Sequence, residues 1–260
     1  MMLKRSFIMI PGIGERTERN LWANDIRTWE IFLETDEIPG IGKNRKRMGD
    51  RLLNEGLNKL EAWELAYFSN LFRPRDAWRL WSEFGKKAVY LDIETLGTRR
   101  DSPITVVGVH DGYRFDASVR GFNLNRDRIR KMLDGASMIV TFNGTTFDLP
   151  LIEHQFPGSL PKIPHLDLRF AAGLIGLRGG LKSIEIQCGI SRPDDVAGMS
   201  GEDAVRLWRV YERGNNRNAL RLILKYNKED IVNLIPLTRS IVNEIERRTL
   251  SENLVEGSYE

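Results

Sequence analysis

The chain has 260 residues, of which 41% are hydrophobic and 29% are charged, and its formal net charge is +3. These proportions are those of an ordinary globular protein and exclude a disordered or fibrous chain. The small positive charge permits a polyanionic partner without requiring one, so the placement of local charges has to decide.

Cysteine content and hydropathy restrict the cellular setting. The single cysteine, Cys188, rules out an internal disulfide and a zinc site built from cysteines. No apolar run reaches about 18 residues, and the start of the chain has too short an apolar stretch for a signal peptide. We therefore expect a cytoplasmic protein that does not enter the membrane.

Residues 1–85 are predicted to form a small all-helical domain. Apolar residues recur at helical intervals in segments 15–35 and 51–72. The pentapeptide IPGIG occurs at 10–14 and again at 38–42, and a charged, helix-like segment follows each copy. We therefore expect helices joined by two similar turns in this domain.

A change of pattern at Lys86 predicts a second domain, residues 86–251, followed by a polar tail at 252–260. No low-complexity linker divides the two domains, so we expect them to pack together. Strands, a helix, another strand and then a run of helices indicate an α/β layered fold with a mixed sheet flanked by helices. The strands are expected at 87–95, 104–112, 113–120 and 137–144, and the helices at 123–136, 146–156, 167–176, 180–188, 201–213 and from 217 to about 249.

Two acids lie inside the first predicted strand, in the stretch YLDIETLG. Asp92 and Glu94 are two residues apart, so in a strand their side chains project from one face. Taken alone, the pair is a weak signal, because an exposed strand end or a cap for the next turn explains either acid.

Two further segments add acids and a phenol. In VTFNGTTFDLPLI, Asp148 begins a helix just after an apolar strand that ends near Asn143. The first turn of a helix favours such an acid, yet functional side chains also collect at strand ends in α/β sheets. In LKYNKEDIVNLIPL, Tyr226 and Asp230 are four residues apart and share one helical face. An exposed helix beside the core is the plain alternative for that pair.

Four acids brought together would repel one another, and their pKa values would rise. Two divalent cations resolve that conflict. Carboxylate oxygens suit Mg²⁺ or Mn²⁺, and the sequence has no His/Cys set with zinc spacing. The pattern therefore indicates a two-metal site, which activates a water and stabilises the leaving oxygen in phosphoryl displacement.

The order D-x-E, N-x-x-x-F-D and Y-x-x-x-D resembles the DEDDy branch of the DnaQ-like 3′–5′ exonucleases, and more closely the YprB-type ribonuclease-H-like proteins. The closer resemblance adds PHLDLR at 164–169, GLRGGLKSIE at 176–185 and DAVRLWRVY at 203–211, and it covers roughly residues 86–240. It implies a ribonuclease-H-like fold and a metal-dependent 3′–5′ exonuclease that releases nucleoside 5′-monophosphates.

The resemblance also implies a role for each site residue. Asp92, Glu94, Asp148 and Asp230 would be the metal ligands, and Tyr226 would orient or deprotonate the attacking water; all five positions match. A free phenol has a pKa of about 10 and is a poor base at neutral pH, so the metal is expected to do most of that work.

Asp167 and His165 are weaker candidates. Asp167 could be an additional ligand, but a cap for the helix that begins near Leu168 explains it better. His165 is expected to be structural, or to support a ligand, rather than to be catalytic.

Each PGIG resembles the turn of helix–hairpin–helix nucleic-acid-binding proteins. A glycine-rich turn exposes backbone N–H groups at a helix start, where a phosphate can sit. The second copy leads into KNRKRMGDR, whose cations would attract phosphates without reading bases. A plain turn with a solvated basic face is the alternative. The residues predicted to contact nucleic acid are Gly12, Gly14, Gly40, Gly42, Lys43, Arg45, Lys46, Arg47, Arg99 and Asn143.

Nucleic acid is therefore the expected partner, as a single strand or as the 3′ end of DNA or RNA. Two other interpretations stay open: a structure-selective endonuclease on the same fold, and a nucleic-acid-binding adaptor that does not cleave. No feature of the sequence tests for a 2′-hydroxyl, so DNA and RNA are not distinguished. The sequence indicates no particular protein partner.

Overall fold

The computed structural model describes residues 1–97, 99 and 101–255, with side chains described as far as residue 251. It has the predicted α/β architecture, a mixed five-stranded sheet with flanking helices, preceded by a helical region. The last helix continues to Val255, through the first part of the predicted polar tail. Residues 256–260 of that tail lie outside the described residues.

The helical region confirms the all-helical prediction for the first part of the chain. Trp29, Phe32 and Phe68 are fully buried at its centre. Its helices are α1 Glu15–Ala23, α2 Trp29–Glu34, α3 Lys43–Glu61, α4 Leu65–Phe68 and α5 Trp81–Phe84, with 3₁₀ helices at Leu3–Arg5, Pro74–Leu80 and Gly85–Lys87.

The two IPGIG segments fold alike. In each copy, the N–H of the second isoleucine donates to the carbonyl of the first, at 2.9 and 3.0 Å. The glycine between them has a φ of +82° at Gly12 and +78° at Gly40. Proline followed by a residue of positive φ is a type II turn, and glycine adopts this φ without strain. The last glycine of each copy, Gly14 or Gly42, directly precedes helix α1 or α3.

Five strands form one sheet in the order β3-β2-β1-β4-β5. The neighbours β1–β2 and β2–β3 run antiparallel, whereas β1–β4 and β4–β5 run parallel. The strands β1 to β4 match the four predicted ones, but β5 was not predicted, because three residues are too few to show an alternating pattern. The strands are β1 Ala88–Thr95, β2 Ile104–His110, β3 Phe115–Val119, β4 Met138–Thr141 and β5 His165–Asp167.

Helices cover both faces of the sheet. Helices α6 and α7 pack against Val89, Leu91 and Ile93 of β1, whereas the long helix α12 packs against the opposite face, where Tyr90 lies. Because side chains alternate along a strand, Asp92 and Glu94 lie on the α12 face. The helices of this part are α6 Arg126–Met132, α7 Asp148–Gln155, α8 Leu168–Leu174, α9 Leu181–Gln187, α10 Asp194–Ala197, α11 Gly201–Gly214 and α12 Arg217–Val255.

The helical region and the α/β region pack together, as the sequence led us to expect. A single apolar cluster includes Phe7 and Trp78 from the helical region and Ile241 and Ile245 from α12. The boundary between residues 85 and 86 remains a prediction. In the part of the chain that the structure describes, no helix has both the length and the apolar character needed to cross a membrane.

Candidate metal centre

Strand β1 and helix α12 bring three acids together. Asp92 and Glu94 project from one face of β1, and Asp230 meets them from α12. One carboxylate oxygen of each residue lies within 4.8 Å of the corresponding oxygens of the other two. Glu94 and Asp230 are each 7% exposed and Asp92 is partly exposed. A cation held by the three oxygens would be largely shielded from water.

Among the described residues, Asp92 and Glu94 have no ion-pair partner to balance their charge. Glu94 Oε1 is buried and has no hydrogen-bond partner among the described residues. Burial, together with the charges of Asp148, Asp230 and Glu94, raises the pKa of Asp92 well above its usual range. Burial, and then the charge of Asp230, raises the pKa of Glu94 in the same way. The site fits a hard divalent cation, which would supply both the missing partner and the missing positive charge.

Asp148 lies beside this cluster but is not part of the group of three. It is the first residue of α7 and is 4% exposed. Its Oδ1 accepts a hydrogen bond of 3.2 Å from the backbone N–H of Ile93, the residue between the two acids of β1. Burial raises the pKa of Asp148 to about 7. The fourth predicted acid thus contacts β1 directly, although its oxygens are not among those within 4.8 Å of one another.

Tyr226 lies one helical turn before Asp230 and is 7% exposed. Burial, followed by the charges of Asp230, Glu94 and Asp92, raises the pKa of its phenol. A phenol that stays protonated can donate a hydrogen bond but cannot remove a proton. Both roles that were predicted for Tyr226 stay predictions.

Asn227 also contacts the acids, and the sequence analysis did not single it out. Its Nδ2 donates to Asp92 Oδ2 at 2.9 Å, and the residue is fully buried. Gly108 of β2 pairs with Asp92 and makes room for this contact, because a Cβ there would lie 1.9 Å from Asn227 Oδ1. The available signal was its spacing of three residues from Asp230, which places both on one helical face.

A buried arginine was likewise not foreseen. Arg192, between α9 and α10, pairs with Asp230 Oδ1 at 2.5 Å and with Glu185 at 2.6 Å. Burial raises the pKa of Asp230 to about 6, and the charge of Arg192 opposes that rise. Arg192 lies outside every periodic segment, so no local pattern connected it to the acids.

Asp167, considered as a further ligand, is instead occupied by backbone groups. It accepts hydrogen bonds from the N–H groups of Asn143, Thr145 and Arg169, at 2.7, 3.0 and 3.1 Å. It caps α8, as expected, and also holds the loop after β4. His165 Nε2 lies 2.9 Å from a threonine hydroxyl on β4, and burial lowers the pKa of His165 to about 4. The neutral imidazole of His165 therefore links β5 to β4, which agrees with the structural role expected for it.

Lys46, one of the predicted nucleic-acid contacts, is buried in the structure. The residue is 8% exposed, and its Nζ lies 2.6 Å from Asp50 Oδ1. Its spacing of three residues from Gly49 and seven from Leu53 places it on the buried face of α3, where its charge is already paired. The other predicted residues at this end of the helical region are exposed: Gly12, Gly14, Gly40, Gly42, Lys43, Arg45 and Arg47.

Arg99 and Asn143 lie in loops that follow β1 and β4. The side chain of Arg99 is 83% exposed and pairs with Asp101 at 3.1 Å. Asn143 has a φ of +67°, and its Oδ1 accepts hydrogen bonds from Thr146 at 2.9 Å and from Arg169 at 2.8 Å. Arg99 is thus open to a strand of nucleic acid, whereas the Asn143 oxygen is already used within its loop.

Comparison with known proteins gives a family and a structural likeness. A family model described as the RNase_H superfamily matches residues 89–242. Among solved structures, the chain is similar to the family B DNA polymerase from the hyperthermophilic archaeon Pyrobaculum calidifontis, with 17% identity and a TM-score of 0.47. That match covers 60% of this chain and 24% of the polymerase, so the chain spans about a quarter of the polymerase's length. No curated protein matches.

Proposed function

This chain belongs to the RNase H superfamily, and we propose that it is a metal-dependent 3′–5′ exonuclease of the DEDDy type, similar to the YprB-type proteins. Its substrate would be DNA or RNA. One observation carries the proposal: Asp92, Glu94 and Asp230 converge with oxygens within 4.8 Å of one another, and a buried oxygen of Glu94 has no partner among the described residues. Such an arrangement is costly unless a cation completes it.

Asp92, Glu94, Asp148 and Asp230 would hold two Mg²⁺ or Mn²⁺ ions. When bound, such ions supply positive charge that stabilises phosphate oxygens and makes water more acidic. Asn227 keeps one oxygen of Asp92 in a hydrogen bond, which leaves Oδ1 of that carboxylate for a cation. Asp148, held by the N–H of Ile93, extends the set of acids toward α7.

Tyr226 would donate a hydrogen bond to the attacking water and so orient it toward the phosphorus. Burial raises the pKa of the phenol above its usual value, which favours the protonated form. In the reaction, the water oxygen bonds to phosphorus and the bond from phosphorus to the 3′-oxygen breaks. The shortened strand keeps a 3′-hydroxyl, and a nucleoside 5′-monophosphate leaves.

The helical region would hold the backbone of the substrate. The first turn of α3, after the second IPGIG turn, contains no acid and includes the exposed Lys43. The first turn of α1 contains Glu15 and Glu18 instead. Glu15 and Glu18 are already paired with Arg75 and Arg79, so they only weakly oppose an anion. Because the N-terminus of a helix attracts anions and Lys43 adds positive charge, the second turn is the better phosphate site.

The test uses purified protein and 5′-labelled oligonucleotides of matched DNA and RNA sequence, single-stranded and duplex. We expect a ladder that shortens from the 3′ end with Mg²⁺ or Mn²⁺, and no ladder with a chelator. Asp230→Asn should be inactive, whereas Glu202→Gln, an exposed acid on α11, should be fully active.

The pattern of products separates the rival functions. Cleavage at internal positions of a 3′-blocked substrate would indicate an endonuclease. Binding of the oligonucleotides without metal-dependent cleavage, by both the parent protein and Asp230→Asn, would indicate the adaptor and end the exonuclease proposal.

A further inference from the structure

Arg192 lies at the centre of a buried ion-pair chain behind the acidic site. Its side chain is 4% exposed. Nη1 lies 2.5 Å from Asp230 Oδ1, and Nε and Nη2 each donate to Glu185 at 2.6 Å. Asn233 Nδ2 donates to Glu185 Oε1 at 3.1 Å. Two carboxylates of two different helices therefore hold one guanidinium, and Asn233 supports one of them.

On the side of Arg192 away from the acidic site, Glu185 balances its positive charge. A two-point arginine–carboxylate pair is among the strongest side-chain contacts, and its fork fixes the plane of both groups. Because Glu185 neutralises Arg192 and fixes its plane, the guanidinium meets Asp230 as an ion-pair partner of fixed position without excess positive charge. A lone buried arginine at this position would repel a divalent cation.

The ion pair with Arg192 engages only one of the two carboxylate oxygens of Asp230. Arg192 takes Oδ1 of Asp230, so Oδ2 is the oxygen left for a cation. The guanidinium also lies 5.9 Å from the centre of the Tyr226 ring. One side chain thus pairs with Asp230 and lies near Tyr226, both on α12, and Glu185 of α9 supplies the carboxylate that holds it in place.

We infer that Arg192 is a positioning residue: braced by Glu185, it fixes the carboxylate of Asp230 so that Oδ2 meets the cation shared with Asp92 and Glu94. This inference rests on the proposed metal site. Partners that orient metal ligands typically contribute about 10- to 100-fold in metal affinity. Loss of Arg192 should therefore weaken metal binding by about that factor.

The experiment measures free Mn²⁺ by electron paramagnetic resonance during titration of the full-length protein. Arg192→Gln should weaken Mn²⁺ binding by about 10- to 100-fold. Arg192→Lys keeps the positive charge but loses the two-point contact with Glu185. Its Mn²⁺ affinity should therefore lie between those of the parent protein and Arg192→Gln. The matched control is Arg206→Gln, because Arg206 is 68% exposed and pairs with Asp203 on α11 at 3.1 Å; its affinity should stay within about twofold.

A second readout separates positioning from a general loss of structure. Excess Mn²⁺ should restore cleavage by Arg192→Gln, because the defect lies in metal affinity, whereas a distorted site would stay inactive at any metal concentration. Circular dichroism checks that each variant is folded. If Arg192→Gln is not folded, the Mn²⁺ affinity of Arg192→Lys tests the inference instead.

Each outcome has a distinct meaning. Unchanged or tighter Mn²⁺ binding by a folded Arg192→Gln would overturn the inference, since Arg192 would then be a structural group or a competing cation. A parent protein that binds no Mn²⁺ would overturn both the metal site and this inference. If the parent protein binds Mn²⁺, loses affinity when Arg192 is replaced, and yet cuts no nucleic acid, the exonuclease proposal alone would be refuted.

Discussion

Glu18 of the helical region and Glu94 of the α/β region are both buried, but they differ in their partners. In the helical region, Glu18 is 1% exposed, and both of its oxygens have partners. Its Oε1 accepts from Phe7 N–H at 2.6 Å and Ser6 Oγ at 3.0 Å, and its Oε2 pairs with Arg79 at 2.9 Å. In the α/β region, by contrast, Glu94 has an oxygen with no partner among the described residues.

The difference lies in the partners and not in burial or pKa. Burial raises the pKa of Glu18 as it does that of Glu94. What separates the two is that Arg79 neutralises Glu18, whereas the acids nearest Glu94 add charge of the same sign. A buried acid with its own counter-ion serves the fold, whereas a group of unbalanced acids indicates a ligand that the protein must bind.

The largest expected effect is on activity at the unbalanced site. Glu94→Gln should reduce cleavage by at least about 10³-fold, or about 4 kcal/mol in the barrier, because the cation loses a charged ligand. The same change should raise the melting temperature in chelator, since it relieves repulsion. Single-turnover cleavage and thermal unfolding with chelator measure the two effects. A variant with full activity or a lower melting temperature would contradict the comparison.

The balanced acid should show the reverse pattern. Arg79→Met leaves Glu18 buried without its counter-ion and should reduce the free energy of unfolding by about 3–5 kcal/mol. Cleavage per folded molecule should be unchanged. Urea unfolding gives the stability change. The control Arg75→Met removes an exposed partner of Glu15, with side chains 53% and 49% exposed, and should cost less than about 1 kcal/mol. Equal losses in the two variants would show that burial of the pair does not matter.

Metal addition should distinguish the same two positions. With Mn²⁺ at 100 times its dissociation constant, the parent protein should gain about 2.7 kcal/mol of stability. Arg79→Met should gain as much, whereas Glu94→Gln should gain little. Thermal unfolding with and without Mn²⁺ is the measurement. An equal gain in Glu94→Gln would place the bound ion elsewhere in the molecule.

The smallest effect concerns the two IPGIG turns. Their backbones are alike, but the helix after the second turn begins with cations and the helix after the first begins with acids. Lys43→Glu together with Arg47→Glu should weaken oligonucleotide binding by about tenfold and reduce its salt dependence. Arg16→Glu, at the start of α1, is the matched control and should have little effect. Fluorescence anisotropy at several salt concentrations tests this, and equal losses would assign both turns the same role.

Local patterns were sufficient for much of the fold. Strands β1 to β4 and the long helix α12 follow from alternation and helical spacing, since a buried face imposes its period on the sequence. The β5 strand has only three residues, so its pairing with β4 depends on the sheet that is already formed. The fold class was therefore predictable, whereas the edge strand β5 was not.

For the candidate site, the sequence alone determined which side chains can share a face. These are Asp92 with Glu94 on a strand, and Tyr226 with Asp230 on a helix. Spacing within one element is local information, so it is readable without a structure. Only the tertiary structure decided that Arg192 meets Asp230. It also decided that Lys46 is buried rather than presented to solvent. Contacts between distant segments depend on how the helices pack onto the sheet, and no local period records that packing.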